Sequence, residues 1–172
     1  MSTNDTTEIV KVINLYALAV DATRWDLFER VFTPDVEVNA LPNGRWSDLP
    51  SLRQKWAEFH DPLDGSTHTF TNHQVIVSGQ TAQALSYVAV RLMRQMTQGD
   101  SFYECGGWYD DHLVRTANGW RIKVRGYGSN WWRGNPAVGG EGFDPTLRPI
   151  RLAAAAGEIR YFKDLEKSAW PD

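Results

Sequence analysis

The sequence predicts an α+β domain in which N-terminal helices and a curved antiparallel sheet enclose a pocket. Three observations predict it. Apolar residues recur at three- and four-residue spacing in the first 59 positions. From residue 67 onward the period changes to two. Turn signals then fall at Gly79-Gln80, Gln98-Gly99-Asp100 and Asn118-Gly119, between long alternating segments.

The first element is a helix. Asp5 and Glu8 have capping-box spacing, with Asp in place of Ser or Thr. Ile9, Val12, Ile13, Tyr16, Ala17 and Val20 then form one apolar face. Asp21 extends this stripe, at a helix end where the dipole disfavours negative charge. Its carboxylate either points inward or turns to solvent to cap the next helix; the pattern leaves both open. A second short helix is expected with Thr23 as cap, Trp25, Phe28 and Phe32 on its buried side, and Pro34 as its stop. Asp35–Asn39 alternates as a short strand, Asn43-Gly44 marks a loop, and Leu49–Phe59 reads as a third helix with Leu52, Trp56 and Phe59 on one face. Four strands follow at Thr67–Val77, Ala82–Met96, Phe102–Thr116 and Trp120–Asn130. Gly134–Pro149 reads as an irregular arm and residues 150–167 as a last helix centred on Ala153–Ala156, packing on a neighbouring subunit or closing the pocket. Residues 1–133 are thus the main body, and 134–172 an arm of the same domain.

Composition narrows the function classes. A net charge of -3 argues against a nucleic-acid partner, which needs a basic footprint. No apolar run approaches the roughly 20 residues needed to span a bilayer, and Met1–Thr7 lacks the basic and apolar regions of a signal peptide. Cys105 stands alone, which with the preceding points suggests the cytoplasm. Eight Trp, seven Phe and six Tyr furnish either a bulky core or an aromatic-lined pocket for a ring-shaped ligand.

The chemistry-bearing residues are few. The four histidines are His60, His68, His73 and His112. His68 and His73, five apart in one strand, should leave opposite faces, and no Cys or carboxylate cluster completes a metal site, so no metal or cofactor is expected. Phosphate-binding loops, nucleophile elbows and dinucleotide fingerprints are absent; Gly126-Tyr127-Gly128 is too short to count. Cys105 in a strand reads as a small core residue. His68 becomes the general-base candidate, and Asp21 could hold its tautomer and stabilise the imidazolium. A histidine at a strand start can equally be structural.

Leu15-Tyr16-Ala17-Leu18-Ala19-Val20-Asp21, Arg24-Trp25-Asp26 and Phe32-Thr33-Pro34-Asp35 resemble the opening of SnoaL-like proteins of the NTF2-like superfamily. Thr67-His68-Thr69-Phe70-Thr71-Asn72 resembles the T-x-H-x-x-T-N segment there, and Asn118-Gly119-Trp120-Arg121-Ile122 the final hairpin. The resemblance spans residues 8 to about 128. It implies an Asp–His pair, Asp21 and His68, like that of scytalone dehydratase, hexachlorocyclohexane dehydrochlorinase and bile-acid 7α-dehydratase, which perform eliminations without a cofactor. Tyr16 is similar to a pocket tyrosine that polarises a carbonyl or donates a proton. Arg125 resembles an arginine that stabilises a departing anion, although Arg121 and Lys123 share its strand phase. The second pocket histidine of scytalone dehydratase has no match beyond His112, near a hairpin end.

The expected protein is therefore a cofactor-independent lyase, of the dehydratase (elimination) or carbon–carbon cleavage type, for a small hydrophobic cyclic or aromatic molecule, with His68, Asp21, Tyr16 and Arg125 as catalytic residues. Asn72, on the strand face of His68, would bind the ligand, with Trp25, Trp56, Phe59 and Tyr103 as walls. An isomerase or cyclase would use the same base. A non-catalytic subunit, like the small subunit of ring-hydroxylating dioxygenases, and a ligand-binding module are readings of other classes. A homodimer or homotrimer is expected.

Overall fold

The computed structural model describes residues 3–40, 44–140 and 149–167. Helix α1 runs Thr3–Asp21. It begins before Asp5, so Asp5 is a first-turn residue rather than the cap, and its carboxylate binds Arg115 at the far end of the sheet. A 3-10 turn at Trp25–Leu27 leads into the short α2, Phe28–Val31. Thr23 does not cap it. Its φ of 51° places it in the left-handed region that ends α1, an uncommon place for a β-branched residue.

Phe32 opens strand β1, Phe32–Asn39, instead of closing the helix. Pro34 lies inside this strand where pairing slips between Phe32 and Glu37, so its missing N–H costs no ladder bond there. The two-residue β2, Arg45–Trp46, was not expected. Helix α3, Leu49–His60, starts with Asp48 accepting the Ser51 N–H at 2.7 Å. Then come β3 (Gly65–Ser78), β4 (Thr81–Met93), β5 (Phe102–Thr116) and β6 (Gly119–Gly134). The expected Asn43 turn residue lies outside the described residues.

The sheet order is β2-β1-β6-β5-β4-β3. Strands β3 to β6 form the expected antiparallel meander, but β1 pairs parallel to β6, making the sheet mixed. Helices α1–α3 cover one face. Ile9, Ile13, Tyr16 and Val20 of α1 pack there with Phe28, Val36, Leu52, Val88, Tyr109, Leu113 and Ile122.

The other face is covered by the chain's own tail. The single expected helix is broken into α4, Leu152–Ala155, and α5, Arg160–Leu165, with Gly157 between them. Ile159 and Tyr161 pack on Leu85 and Trp108, and Asp110 accepts the N–H groups of Arg160 (2.9 Å) and Tyr161 (3.2 Å). The described tail residues therefore back the sheet, rather than closing the helical side. Gly128 belongs to this packing: a Cβ there would lie 2.3 Å from the Trp108 indole. That accounts for Gly128 without a phosphate.

Candidate active site

The end of α1 and the start of β3 meet at Asp21 and His68. Asp21 accepts three hydrogen bonds: from the His68 ring Nδ1–H (2.7 Å), from the His68 backbone N–H (2.8 Å) and from Ser66 Oγ (3.0 Å). Burial alone would raise its carboxyl pKa, but these bonds outweigh it and hold the group below its usual value. They also offset the unfavourable helix C-terminus. A carboxylate only accepts, so it fixes the proton on Nδ1 and leaves Nε2 of a neutral ring as the basic atom. The His68 side chain is 6% exposed.

Tyr16, one turn and a residue before Asp21, is at the centre of an aromatic layer. Its ring lies 6.2 Å from His68 and 5.7–6.1 Å from Phe28, Phe32, Phe70 and Tyr109, between centroids. The Tyr16 hydroxyl accepts the Trp56 Nε1–H at 2.9 Å. Burial pushes its pKa up, so it keeps its proton, which leaves an O–H able to donate a hydrogen bond.

Arg125 is 1% exposed and lies between two rings, its Cζ 4.3 Å from the Tyr16 centroid and 4.2 Å from that of Tyr109. Its Nε and Nη2 each donate to Asp111 at 2.7 Å, and Asp111 is fully buried. Burial opposes the guanidinium charge, yet Asp111 more than compensates and keeps it protonated. Nη1 has no hydrogen-bond partner among the described residues. Arg121 and Lys123 point elsewhere: Arg121 donates to the backbone of Glu29 and Trp120, and Lys123 to Asp35.

The wall residues separate into two groups. Trp25 stands edge-on to Phe28 (5.5 Å), Trp56 is edge-on to Trp46 (4.9 Å), and both reach the same core as Tyr16. Phe59 and Tyr103 belong to a neighbouring cluster with Leu63, Leu92 and Val138, and Tyr103 stacks on Trp132. Asn72 does not share the face of His68. A bulge between Thr71 and Gln74 inserts an extra residue, and Asn72 is exposed there with φ 52°. The same bulge corrects the expectation for His73. It turns inward, 2.8 Å from buried Ser86 Oγ, so His68 and His73 face the same side. His112 lies on the opposite face, beside Gln83 and the tail. Among the described residues no group of three metal-ligating side chains occurs.

One neighbour of His68 was missed. His60, the last residue of α3, is 6% exposed, and its ring centroid lies 6.3 Å from that of His68. The signal was present: His60 follows Trp56 by four and extends the α3 apolar stripe, as Asp21 extends that of α1. Burial lowers its pKa to about 4, so it is neutral in the folded protein. In the unfolded chain it titrates near 6.5. Between these values the unfolded state binds the extra proton, so stability is present above pH 6.5 and falls as pH drops toward 4. His73 and His112, also lowered by burial, act in the same direction. The urea midpoint should therefore fall from pH 7 to 4.5 (a span of about 2.5 units, set by the ordinary histidine value). His60→Phe should show a shallower fall; an equal fall would contradict the assignment.

A cleft of ≈ 510 Å³ between Asp64, Arg91, Met93, Arg94 and Phe102 is not part of this arrangement. Arg91 and Met93 alternate with Leu92, which faces inward, so the cleft opens on the other side of the sheet.

A profile of the SnoaL-like domain matches residues 1–126. The chain belongs to the SnoaL-like domain family. An uncharacterized protein of Mycobacterium tuberculosis, Rv2910c, is 33% identical over 123 residues, covering 69% of this chain and 81% of its own. Among solved structures, the Kfla4162 protein of Kribbella flavida superposes with a TM-score of 0.77 at 20% identity, over 81% of this chain and 99% of that one. A candidate scytalone dehydratase of Novosphingobium aromaticivorans gives 0.70 at 19%, over 86% and 97%. A hexachlorocyclohexane dehydrochlorinase, LinA type 2, gives 0.67 at 14%, over 81% and 93%. At these identities the solved structures share this chain's fold, which is NTF2-like, and show the fold alone. No helix among the described residues is long and apolar enough to cross a membrane.

Proposed function

We propose that this SnoaL-like protein is a cofactor-independent lyase for a small hydrophobic cyclic or aromatic molecule, with His68 as its base. The observation that carries this reading is the 2.7 Å bond from His68 Nδ1 to a carboxylate already held by two further donors. Such a carboxylate orients the imidazole and stabilises the cation it becomes. His68 Nε2 takes a proton from a substrate carbon. The C–H electron pair forms the new double bond as the leaving group departs with its own pair. The imidazolium can then return the proton to a departing oxygen. Tyr16 offers its O–H, and Arg125 its remaining Nη1–H, to negative charge developing on the substrate. Trp25, Trp56 and Phe59 supply the apolar surroundings. The dehydratase and dehydrochlorinase names among the fold relatives are consistent with an elimination.

Protonation at a different carbon instead would make the same site an isomerase. The two are separated by incubating a panel of alicyclic and aromatic alcohols, ketones and halides in D2O with the protein, followed by mass spectrometry. A product lighter by water or hydrogen halide supports the lyase. A product of unchanged formula carrying deuterium supports the isomerase. Compounds that bind wild type and His68→Ala equally and stay unchanged would favour a binding module.

A further inference from the structure

We infer that His60 is a specificity residue which accepts a hydrogen bond from a hydroxyl of the substrate, and hence that the substrate is an alcohol or phenol rather than a hydrocarbon halide. The inference rests on the reading of the Asp21–His68 cluster as a substrate site. His60 Nδ1 lies 2.8 Å from the carbonyl oxygen of Trp56, four residues earlier in α3, so Nδ1 carries the proton and donates it. With a pKa lowered by burial, the ring does not take up a second proton near neutrality. Nε2 can therefore only accept. It is buried and has no hydrogen-bond partner among the described residues. An ordinary core histidine accounts for the Nδ1 bond but leaves this second nitrogen unexplained, because a buried acceptor without a donor is costly.

The surroundings say what kind of donor fits. Apart from His68, the rings against His60 among the described residues include those of Trp25 (5.6 Å) and Phe59 (5.0 Å between centroids). These offer apolar faces to a carbon skeleton, while His60 offers one lone pair. His68 and His60 thus stand close enough for one small molecule to meet both. His68 would take a C–H proton and His60 would hold a neighbouring O–H. A carbonyl, ether or halogen brings another acceptor to Nε2 and is disfavoured there. A hydroxyl satisfies it.

The test uses phenol and fluorobenzene, similar in shape but differing in the donor, with binding followed by protein-observed NMR titration. Wild type should bind phenol at least about 5-fold more tightly, the range expected of one hydrogen bond. His60→Phe keeps a ring against Trp25 and Phe59 but lacks the acceptor, and its preference should shrink to less than about 2-fold. His60→Gln, which retains an acceptor, should keep part of the preference and guards against a folding defect in the Phe variant. A preference unchanged in His60→Phe, or absent from wild type (including no binding of either probe), would overturn the inference. Because binding needs no turnover, a His60-dependent preference combined with an inert substrate panel would sink the lyase reading alone.

Discussion

Asp111→Ala is expected to destabilise the fold by about 3–5 kcal/mol, the cost of leaving a buried charge without its partner. The variant strands the Arg125 guanidinium between Tyr16 and Tyr109 and removes the acceptor of its two 2.7 Å hydrogen bonds. The urea midpoint checks this. Combining Asp111→Ala with Arg125→Met removes both charges and should recover much of the loss, since apolar replacement of a whole buried pair is often neutral. A loss below about 1 kcal/mol for Asp111→Ala would mean the pair is reached by water, contrary to its burial. The pair also bears on function. Nε and Nη2 each donate to Asp111, so Arg125 presents Nη1 as its nitrogen without a partner among the described residues, and its charge is paired. In the proposed mechanism its part is to orient and polarise, with the ion pair beside the Tyr16 ring.

The second large effect concerns turnover. His68→Ala should lower the rate by about 100- to 10,000-fold on any compound the panel shows to be converted, the usual contribution of general-base catalysis. Asp21→Asn should lower it within the same range, because an amide can offer Nδ1 a donor and favour the wrong tautomer. Both variants should keep the wild-type circular dichroism spectrum, since neither residue belongs to the core cluster around Ile9, Ile13, Val88 and Leu113. A folded His68→Ala protein that turns over substrate at the wild-type rate would remove His68 from the mechanism.

Much of this arrangement was legible because burial leaves a period. Ile13, Ala17 and Asp21 lie on one helical stripe, so an inward carboxylate at the end of α1 was readable, and the structure brings it to His68 across 47 positions. Strand β5 was readable to the residue, since its alternation runs between two clear turns. What was not legible depended on single residues. The bulge at Asn72 and His73 changes the phase of β3 by one, which period-two reasoning cannot see; only an Asn tolerant of positive φ hinted at it. That one residue exposed Asn72 and turned His73 inward. The tail was misplaced for a different reason. Its apolar residues were evident, but the surface they cover, Leu85 and Trp108 on the back of the sheet, is a tertiary choice without a local signal. The expected third helix stops at Phe59, one residue short of His60, and so leaves His60 off the α3 stripe.

The claim on which the mechanism depends is that His68 Nε2 is a bare base because Asp21 holds the proton on Nδ1. Nitrogen-15 NMR of the histidine rings at neutral pH tests it without any substrate. The account predicts a His68 ring protonated at Nδ1 and unprotonated at Nε2, with the Nδ1 proton deshielded by the short bond to Asp21 and this signature lost in Asp21→Asn. A ring carrying its proton on Nε2 in wild type, or one whose tautomer is unmoved by Asp21→Asn, would contradict it.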